Sequence, residues 1–499
     1  MSKVFLRGAS ALALAVAVAG CTVSPVTLSE AENQARLAET MAAISRQPLP
    51  AGPITLHEAM ARALKFNFES RVKLMEEEIA NNRLDATFWN FLPQSIVSAG
   101  RSARSNTAAS SSRSVQSGQE SLEMSTSQEN VHNEADARFT WNALDLGVSY
   151  FTARQMANQT LIAAERRKRA IRQLMQEVRD AYWKAVGAQR LLGQVEQILT
   201  KVREAVDKAD AIESERLENP MEILGYKRDL YTKLTQLQTL RRTLLASKLD
   251  LAKMMNLPAS TAYQVVVPEG EPPSPKKLAI PIGDLEIKAL MTRPELIEES
   301  YHERIAVDEG YKAIARMLPG VELSASGNYN SNRYLLHNAW GEVGLKATWN
   351  LLNFMSGWTD IEMADKQKEL AVFRRQALGV AVLTQVNLAF LDYREAAEGY
   401  ETATRILAIN QRIEKHQKNQ SGERNMGEME LLQMQLTSLL SLLKKDEQYA
   451  QVQNALNRLV FSVGEEIYPD IPSEAAIPDL ANALAKADGE WMRKGWFAL

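Results

Sequence analysis

The side chain best suited to chemistry is a single cysteine near the start of the chain. Cys21 is the only cysteine in 499 residues, so no disulfide can form within the chain. It closes the segment Val18-Ala19-Gly20-Cys21, after a short basic region and an apolar run over 9–20. This resembles a lipoprotein signal, in which small residues fit the peptidase and the thiol forms a thioether to lipid. We predict residues 1–20 as the signal peptide and Cys21 as the lipidated residue. The alternative is an ordinary secretory signal with an incidental cysteine.

Other residues that commonly do chemistry are not arranged for it. The five histidines are scattered without metal-ligand spacing, at His57, His132, His302, His337 and His416. The sequence has no P-loop and no dinucleotide-binding glycine motif. Its net charge of −3, with 24% charged residues, gives no signature of nucleic-acid binding. We therefore expect no enzyme activity, no cofactor or metal, and no nucleic-acid partner.

Composition and hydropathy favour a mainly helical protein. Gly and Pro are few, and long stretches are rich in Ala, Leu, Gln, Glu, Lys and Arg. No stretch after the signal reaches the roughly 20 apolar residues of a transmembrane helix. If the chain crosses a membrane, we expect it to do so with β-strands.

The chain contains one pattern twice. Trp141-Asn142-Ala143-Leu144-Asp145 returns 208 positions later as Trp349-Asn350-Leu351-Leu352-Asn353, and Phe91-Leu92-Pro93 returns 226 positions later as Met317-Leu318-Pro319. The difference of 18 indicates an insertion in the first copy, in its Ser-rich stretch 101–133. Each copy contains, in the same order, a helix, two strands, a very long helix and a return helix.

This duplication defines the predicted domains. The two repeats are flanked by a lipidated extension and a tail, and a Pro-rich linker separates them. The predicted segments are the extension 21–53, the first repeat 54–256, the linker 257–283, the second repeat 284–464 and the tail 465–499.

Four stretches have the period-2 alternation of β-strands. Three are clear, at 135–142, 321–329 and 343–351, and a weaker one lies near 94–101. Each has about the ten residues of a transmembrane strand, with one face for lipid and one for a wet lumen. Four strands cannot close a barrel, so several chains would have to contribute. The alternative is a soluble sheet with one face on a core.

The long helices are predicted at 150–218 and 357–421, with return helices at 221–256 and 427–463. A helix of about 65 residues extends roughly 100 Å, far beyond a globular domain. Since the return helices are shorter, other segments or other chains must cover the remaining halves. A simple coiled coil is the alternative for such patterns.

Taken together, these motifs resemble the TolC-like outer-membrane efflux family, over about residues 54–465. The family opening reads Ile54-Thr55-Leu56-His57-Glu58-Ala59, then Ala63-Leu64 and Asn67-Phe68, where Phe68 replaces the usual proline. The second copy keeps that proline as Pro294. The Leu-Pro before a strand and the Trp-x-x-Leu-Asp/Asn after one both occur twice.

The resemblance implies a mainly α fold with four transmembrane β-strands per chain. In a homotrimer these complete a 12-stranded barrel above a long periplasmic α-helical barrel. It implies a passive, lipid-anchored channel in the outer membrane that works with a periplasmic adaptor and an inner-membrane transporter, in small-molecule efflux or type I secretion. A periplasmic coiled-coil lipoprotein with a structural envelope role is the alternative.

The resemblance also suggests site residues. Trp141 and Trp349 would belong to the aromatic girdle of the barrel. Glu430 matches the family's inward-facing acidic gate position and Glu428 lies beside it, although both could instead lie on a solvated helix face. The adaptor would contact the helix tips, at Asn219, Pro220, Arg424, Asn425 and Gly427. The second tip departs from the family's glycine-centred motif, which leaves the adaptor type open.

Overall fold

The two longest helices set the scale of the molecule. In the computed structural model they span Ala143–Glu215, with 73 residues, and Leu351–Gln420, with 70 residues. At 1.5 Å per residue each is about 105–110 Å long. The structure describes residues 25–121, 123–215, 220–268, 274–420, 428–468, 475–493 and 496. No helix in that part of the chain combines the length and apolarity needed to span a membrane.

The chain divides into two compact units. The smaller comprises the residues up to Ala51 together with Leu257–Ala262. Its helix α1 (Glu30–Ser45) begins with a capping box, in which Ser29 Oγ accepts from the Glu32 N–H and the Glu32 carboxylate accepts from the Ser29 N–H. The larger unit comprises Gly52–Asn256 and Tyr263–Leu499.

The larger unit repeats one series of elements. The first copy contains α2 (Leu56–Phe66), α3 (Phe68–Phe88), a 3-10 turn (Trp89–Phe91), β1 (Gln94–Ala103), β2 (Val131–Asn142), α4 (Ala143–Glu215) and α5 (Pro220–Met254). The second contains α6 (Ile282–Thr292), α7 (Pro294–Met317), β3 (Gly320–Asn330), β4 (Ala339–Thr348), α8 (Leu351–Gln420) and α9 (Glu428–Val463), and α10 (Ile477–Trp491) follows. The predicted mainly α fold with duplicated helices and strands is confirmed.

Short polar side chains fix where the helices begin. Asn67 caps α3 by accepting from the Ser70 N–H at 3.1 Å, so this helix starts without the proline found at Pro294 in α7. Asn142 and Asn350 are equivalent in the two copies, and their side chains accept from the N–H groups of Leu144 and Leu352.

These caps correct two predicted boundaries. The long helices begin directly after the strands, several residues before the predicted starts at 150 and 357. The strand predicted over 343–351 was too long, because β4 ends at Thr348 and α8 begins at Leu351. The alternation of apolar side chains continued into the helix and did not mark this boundary.

The long helices have different neighbours along their length. Near the strands the helices pack side by side in the order α3, α4, α7, α8. Further from the strands the order of packing is α5, α4, α9, α8. Leu199 and Val202 of α4 are fully buried there with Leu230 and Leu237 of α5. The return helices α5 and α9 cover the halves of α4 and α8 that lie away from the strands. The halves near the strands are covered by α3 and α7 of the same chain.

The duplication is visible in matching contacts. Arg167 Nε of α4 lies 2.5 Å from Glu77 Oε2 of α3, and Arg375 Nη1 of α8 lies 2.6 Å from Glu303 Oε2 of α7. These two ion pairs are related by the sequence offsets 208 and 226. The pairing of β3 with β4 is related to that of β1 with β2 by the same offsets.

Candidate functional site

The four strands form one antiparallel sheet with two chemically different faces, in the order β1-β2-β3-β4. The pairing of the strands assigns each side chain to a face. Small and apolar side chains share one face, including Val97, Ala99, Ala137, Phe139, Trp141, Leu323, Ala325, Tyr329, Val343 and Leu345. Polar and charged side chains share the other, including Gln94, Ser98, Glu134, Asp136, Arg138, Glu322, Ser326, Asn328, Glu342 and Lys346.

The apolar face is not covered by the described part of the chain. Every residue of β1 is exposed, and Val97, Val343 and Leu345 are 82%, 79% and 75% exposed. A soluble sheet would place such a face against a core. The part of the chain that the structure describes supplies no such core.

The polar face contains a small hydrogen-bonded network near the end of the sheet away from the helices. Glu134 Oε1 lies 2.9 Å from His132 Nε2 and accepts from Asn330 Nδ2 at 3.1 Å. On the neighbouring row, Ser98 Oγ donates to Asp136 Oδ1. This face can contact water and carries both signs of charge.

The predicted Ser-rich loop connects β1 to β2 and forms a small hairpin. Ser110 and Ser125 exchange two backbone hydrogen bonds, of 3.0 and 3.1 Å. Asn332, in the loop between β3 and β4, fixes the base of the Ser-rich loop. The Asn332 side chain donates to Ser127 O and accepts from the Glu129 N–H. The sequence predicted the loop but not this connection between the two loops.

The two candidate girdle tryptophans lie where the sheet joins the helices. Trp141 is the second-last residue of β2 and is 44% exposed. Trp349 follows β4, is 53% exposed, and its Nε1–H donates to Met317 O at 3.0 Å. Their role in a membrane interface stays a prediction.

Both return helices begin at the end of the long helices that lies away from the sheet. Leu436 and Leu439 of α9 are buried with Leu230 and Leu237 of α5, so both return helices begin at the same end. Pro220 is the first residue of α5, and Glu428 and Glu430 lie in the first turn of α9. The side chains of these three, together with Asn219, Arg424, Asn425, Gly427 and Cys21, lie outside the described residues. Their proposed roles stay predictions.

A buried polar cluster joins the C-terminal tail to the helices. Arg179 Nη2 of α4 donates to Asp488 Oδ2 of α10 at 2.6 Å and to the Tyr468 hydroxyl at 2.7 Å. His57 Nε2 of α2 lies 3.2 Å from the same Asp488 oxygen. The sequence did not predict this cluster, because its members are spread over more than 400 positions and match no motif.

The environment of the cluster sets its charges. Burial alone would raise the pKa of Asp488, but its hydrogen bond with His57 and the charge of Arg179 lower this pKa to about 2. Burial also disfavours the Arg179 charge, yet Tyr468 and Asp488 keep the pKa of its guanidinium above the ordinary value. Burial raises the pKa of Tyr468 to about 12. Arg179 and Asp488 are therefore a charged, buried pair at neutral pH.

Apolar packing adds to this attachment of the tail. Trp491 and Trp496 are 3% and 4% exposed and belong to the core formed by α6, α8 and α9. The Ala279 N–H donates to Trp496 O at 2.9 Å. The tail over 475–493 and residue 496, for which the sequence predicted no role, thus connects α2 and α4 of the first copy to the second copy.

The Asp488 pKa predicts how stability depends on pH. Because the folded pKa of about 2 lies below the ordinary 3.8, this carboxylate stabilises the fold fully above pH 3.8. That contribution, about 2 kcal/mol, is lost as the pH falls through 2. We expect Asp488→Asn to lower the urea midpoint of the detergent-solubilised protein at about pH 6. The difference in urea midpoint between this variant and wild type should disappear below about pH 2. Glu490→Gln, at an exposed position of α10, is the control. A difference that is the same at both pH values would contradict the prediction.

The arrangement defines a class of protein, in which a two-faced sheet continues directly into helices about 105 Å long. Solved bacterial outer-membrane channels share it. The CmeC outer membrane channel of Campylobacter jejuni aligns with a TM-score of 0.63 at 14% identity, covering 87% of this chain and 89% of that chain. The outer membrane protein VceC of Vibrio cholerae gives 0.59 at 12%, covering 82% and 96%. The open-state MtrE outer membrane channel of Neisseria gonorrhoeae gives 0.57 at 14%, covering 82% and 91%.

No protein-family model and no curated protein matches the sequence. The similarity is therefore one of fold, at low sequence identity. The chain has the TolC-like fold of the outer-membrane efflux channels, as the repeated motifs predicted.

Proposed function

We propose that the protein is the outer-membrane channel of a tripartite export system. The observation that carries this proposal is the uncovered apolar face of the sheet, opposite a polar face and continuous with the long helices. Lipid is the environment in which an apolar sheet face of this size is stable, and a wet lumen suits the polar face. The channel is passive, and either small molecules or secreted proteins fit it as cargo.

The open edges of the sheet support a homotrimer. β1 and β4 are the edges, and each would leave backbone groups unpaired in lipid. If β4 of one chain pairs with β1 of the next, three chains supply 12 strands and close the barrel. The fold that this chain shares with solved outer-membrane channels supports a barrel in the outer membrane.

The remaining parts of the system are assigned to Cys21 and to the helix tips. We propose that the thioether at Cys21 anchors the protein to the outer membrane, which labelling with palmitate tests, since Cys21→Ser should abolish the label. An inner-membrane transporter supplies the energy through a periplasmic adaptor. The adaptor contacts the tips at Asn219, Pro220, Arg424, Asn425 and Gly427.

The test of this function is the state of the protein in its native envelope. We expect it in the outer-membrane fraction, as trimers that resist SDS until heated. A lipoprotein that stays monomeric, with no SDS-resistant form that heating dissociates, would contradict the proposal. That result would favour a coiled-coil lipoprotein with a structural role in the envelope.

Removal of the proposed gate carboxylate is expected to change ion selectivity. Three copies of Glu430, with Glu428 beside them, would form an acidic ring that attracts cations. Glu430→Ala should reduce the cation preference of single channels severalfold. Glu447→Ala, at an exposed position further along α9, is the matched control. Unchanged selectivity in Glu430→Ala would contradict the gate assignment while leaving the channel proposal in place.

A further inference from the structure

A histidine is almost completely buried at the loop end of the sheet, where the Ser-rich loop and the β3–β4 loop lie. His132 is near the start of β2 and is 5% exposed. It belongs to the polar face of the sheet, and every residue of the neighbouring strand β1 is exposed. The function proposed above gives this buried side chain no role, so its contacts decide what it does.

Both ring nitrogens of His132 face oxygen atoms. Nδ1 lies 3.3 Å from the backbone carbonyl oxygen of Glu129, and Nε2 lies 2.9 Å from Oε1 of Glu134. A carbonyl oxygen and an ionised carboxylate can only accept a hydrogen bond. A neutral imidazole carries one N–H and one lone pair, whereas the imidazolium carries two N–H groups. With Glu134 ionised, only the charged ring therefore donates in both contacts at once.

Glu129 connects this ring to the loop between β3 and β4. Its N–H donates to Asn332 Oδ1 at 3.2 Å, and its carboxylate accepts from the Arg333 N–H at 3.2 Å. The same carboxylate pairs with the Arg333 guanidinium, with Nε and Oε1 3.2 Å apart. Asn332 is itself buried and donates to Ser127 O. The base of the Ser-rich loop is thus held on one side by the β3–β4 loop and on the other by His132.

Side chains from each neighbouring element surround His132. The uncharged ones are Ser102 of β1, Asn330 of β3 and Asn332 of the β3–β4 loop. The charged ones are Glu134 of β2, Glu129, Arg333 and, directly after β1 on the side of Ser102, Arg104. Glu129 and Arg333 offset each other as an ion pair, and the Arg104 guanidinium donates to Asn106 Oδ1 at 2.9 Å. Glu134 is therefore the charge that acts most directly on the ring.

Loss of the ring proton would break one of the two contacts of His132. A hydrogen bond to a carboxylate is stronger than one to a neutral carbonyl, and the contact with Glu134 is also the shorter of the two. The neutral ring therefore keeps its N–H at Nε2, and Nδ1 then presents a lone pair to the carbonyl oxygen of Glu129. The contact that is lost is the one that holds the base of the Ser-rich loop.

We propose that His132 is a proton-dependent clasp, which holds the base of the Ser-rich loop while its ring is charged and loosens it when the ring is neutral. Histidine ordinarily gains or loses its proton between about pH 5 and 8. The loop keeps its contacts with Asn332 and Arg333, so release increases its mobility and leaves the sheet folded. Because the loop lies where the polar face ends, the clasp acts at the outer mouth of the proposed channel. All of its groups belong to one chain, so the clasp itself does not depend on the proposed trimer.

Backbone hydrogen exchange of the full chain in lipid nanodiscs tests the clasp. The N–H groups of Glu129 and Arg333 report on the base of the loop, because both donate to partners across the two loops. After correction for the intrinsic pH dependence of exchange, their protection should be severalfold lower at about pH 8 than at about pH 5. The N–H groups in the middle of β3 should be equally protected at both pH values.

Three variants make this measurement specific. His132→Ala removes both contacts of the ring, so the lower protection should be found at both pH values. Glu134→Gln removes the charge that stabilises the imidazolium, and should move the fall in protection to lower pH by about one unit. His337→Gln changes an exposed histidine of the β3–β4 loop and is the matched control, which should behave like wild type.

The outcomes separate a clasp from a purely structural histidine. A structural role would lower the protection in His132→Ala but leave the protection of wild type independent of pH, and that result would overturn the proposal. A pH dependence that persists in His132→Ala, or that is unchanged in Glu134→Gln, would overturn it as well. None of these results bears on the proposed channel, because exchange at the loop is measured without conductance.

Discussion

An Arg179→Ala variant is expected to lose about 3–5 kcal/mol of unfolding free energy, the usual effect of removing one partner of a buried ion pair. Asp488 would remain buried in the folded state, with His57 as its only other ionic contact described here. Urea unfolding of the detergent-solubilised protein, followed by tryptophan fluorescence, measures the loss. Trp491 is buried on the same tail and should report on its release.

Two further variants make this result specific. Arg228→Ala removes an arginine whose side chain is 79% exposed, and should change the unfolding free energy by less than about 0.5 kcal/mol. The double variant Arg179→Ala/Asp488→Ala should lose less than the sum of the two single variants, because the contact is lost only once. Additive losses, or equal losses in Arg179→Ala and Arg228→Ala, would contradict a stabilising role for the buried pair.

A charge on the apolar face of the sheet is expected to prevent stable insertion. Ala325 lies at the middle of β3 on that face, and arginine at the midplane of a bilayer costs about 2–4 kcal/mol in each chain. Ala325→Arg should therefore reduce the amount of folded trimer in the outer-membrane fraction severalfold. The readout is the fraction of protein that migrates as a trimer before heating.

The adjacent residue provides a control on the other face. Ser326 follows Ala325 and points to the polar side, in the row that contains Arg138 and Glu342. Ser326→Arg should leave the amount of trimer near the wild-type level and alter conductance, since its charge would face the lumen. Equal tolerance of both substitutions would contradict a lipid-facing role for the Ala325 side.

Much of the fold followed from local patterns. The duplicated Trp-Asn and Leu-Pro markers placed both hairpins, since an equivalent asparagine caps the long helix in each copy. Alternation gave the two faces of the sheet, because successive strand residues point to opposite sides. The predicted end of β4 was less accurate. Apolar residues at alternate positions continue past this strand into α8.

The role of the tail could not be predicted in this way. The cluster of Arg179, Asp488, Tyr468 and His57 depends on contacts between distant parts of the chain, and each residue alone is typical of a solvated surface. Trp491 and Trp496 are unusual in a tail, and two large aromatic side chains in a Pro-rich segment were the only signal that it packs against the core. The gate and adaptor residues at the tips stay predictions, since they rest on the family resemblance.

Planar-bilayer recording of the purified mature trimer shows whether this chain forms a channel. We expect discrete current steps in multiples of one unit conductance, with the selectivity of the steps altered in Ser326→Arg. A channel closed at its tips should give rare or small steps that increase in Glu430→Ala. Trimers without conductance in wild type and in both variants would contradict a channel function.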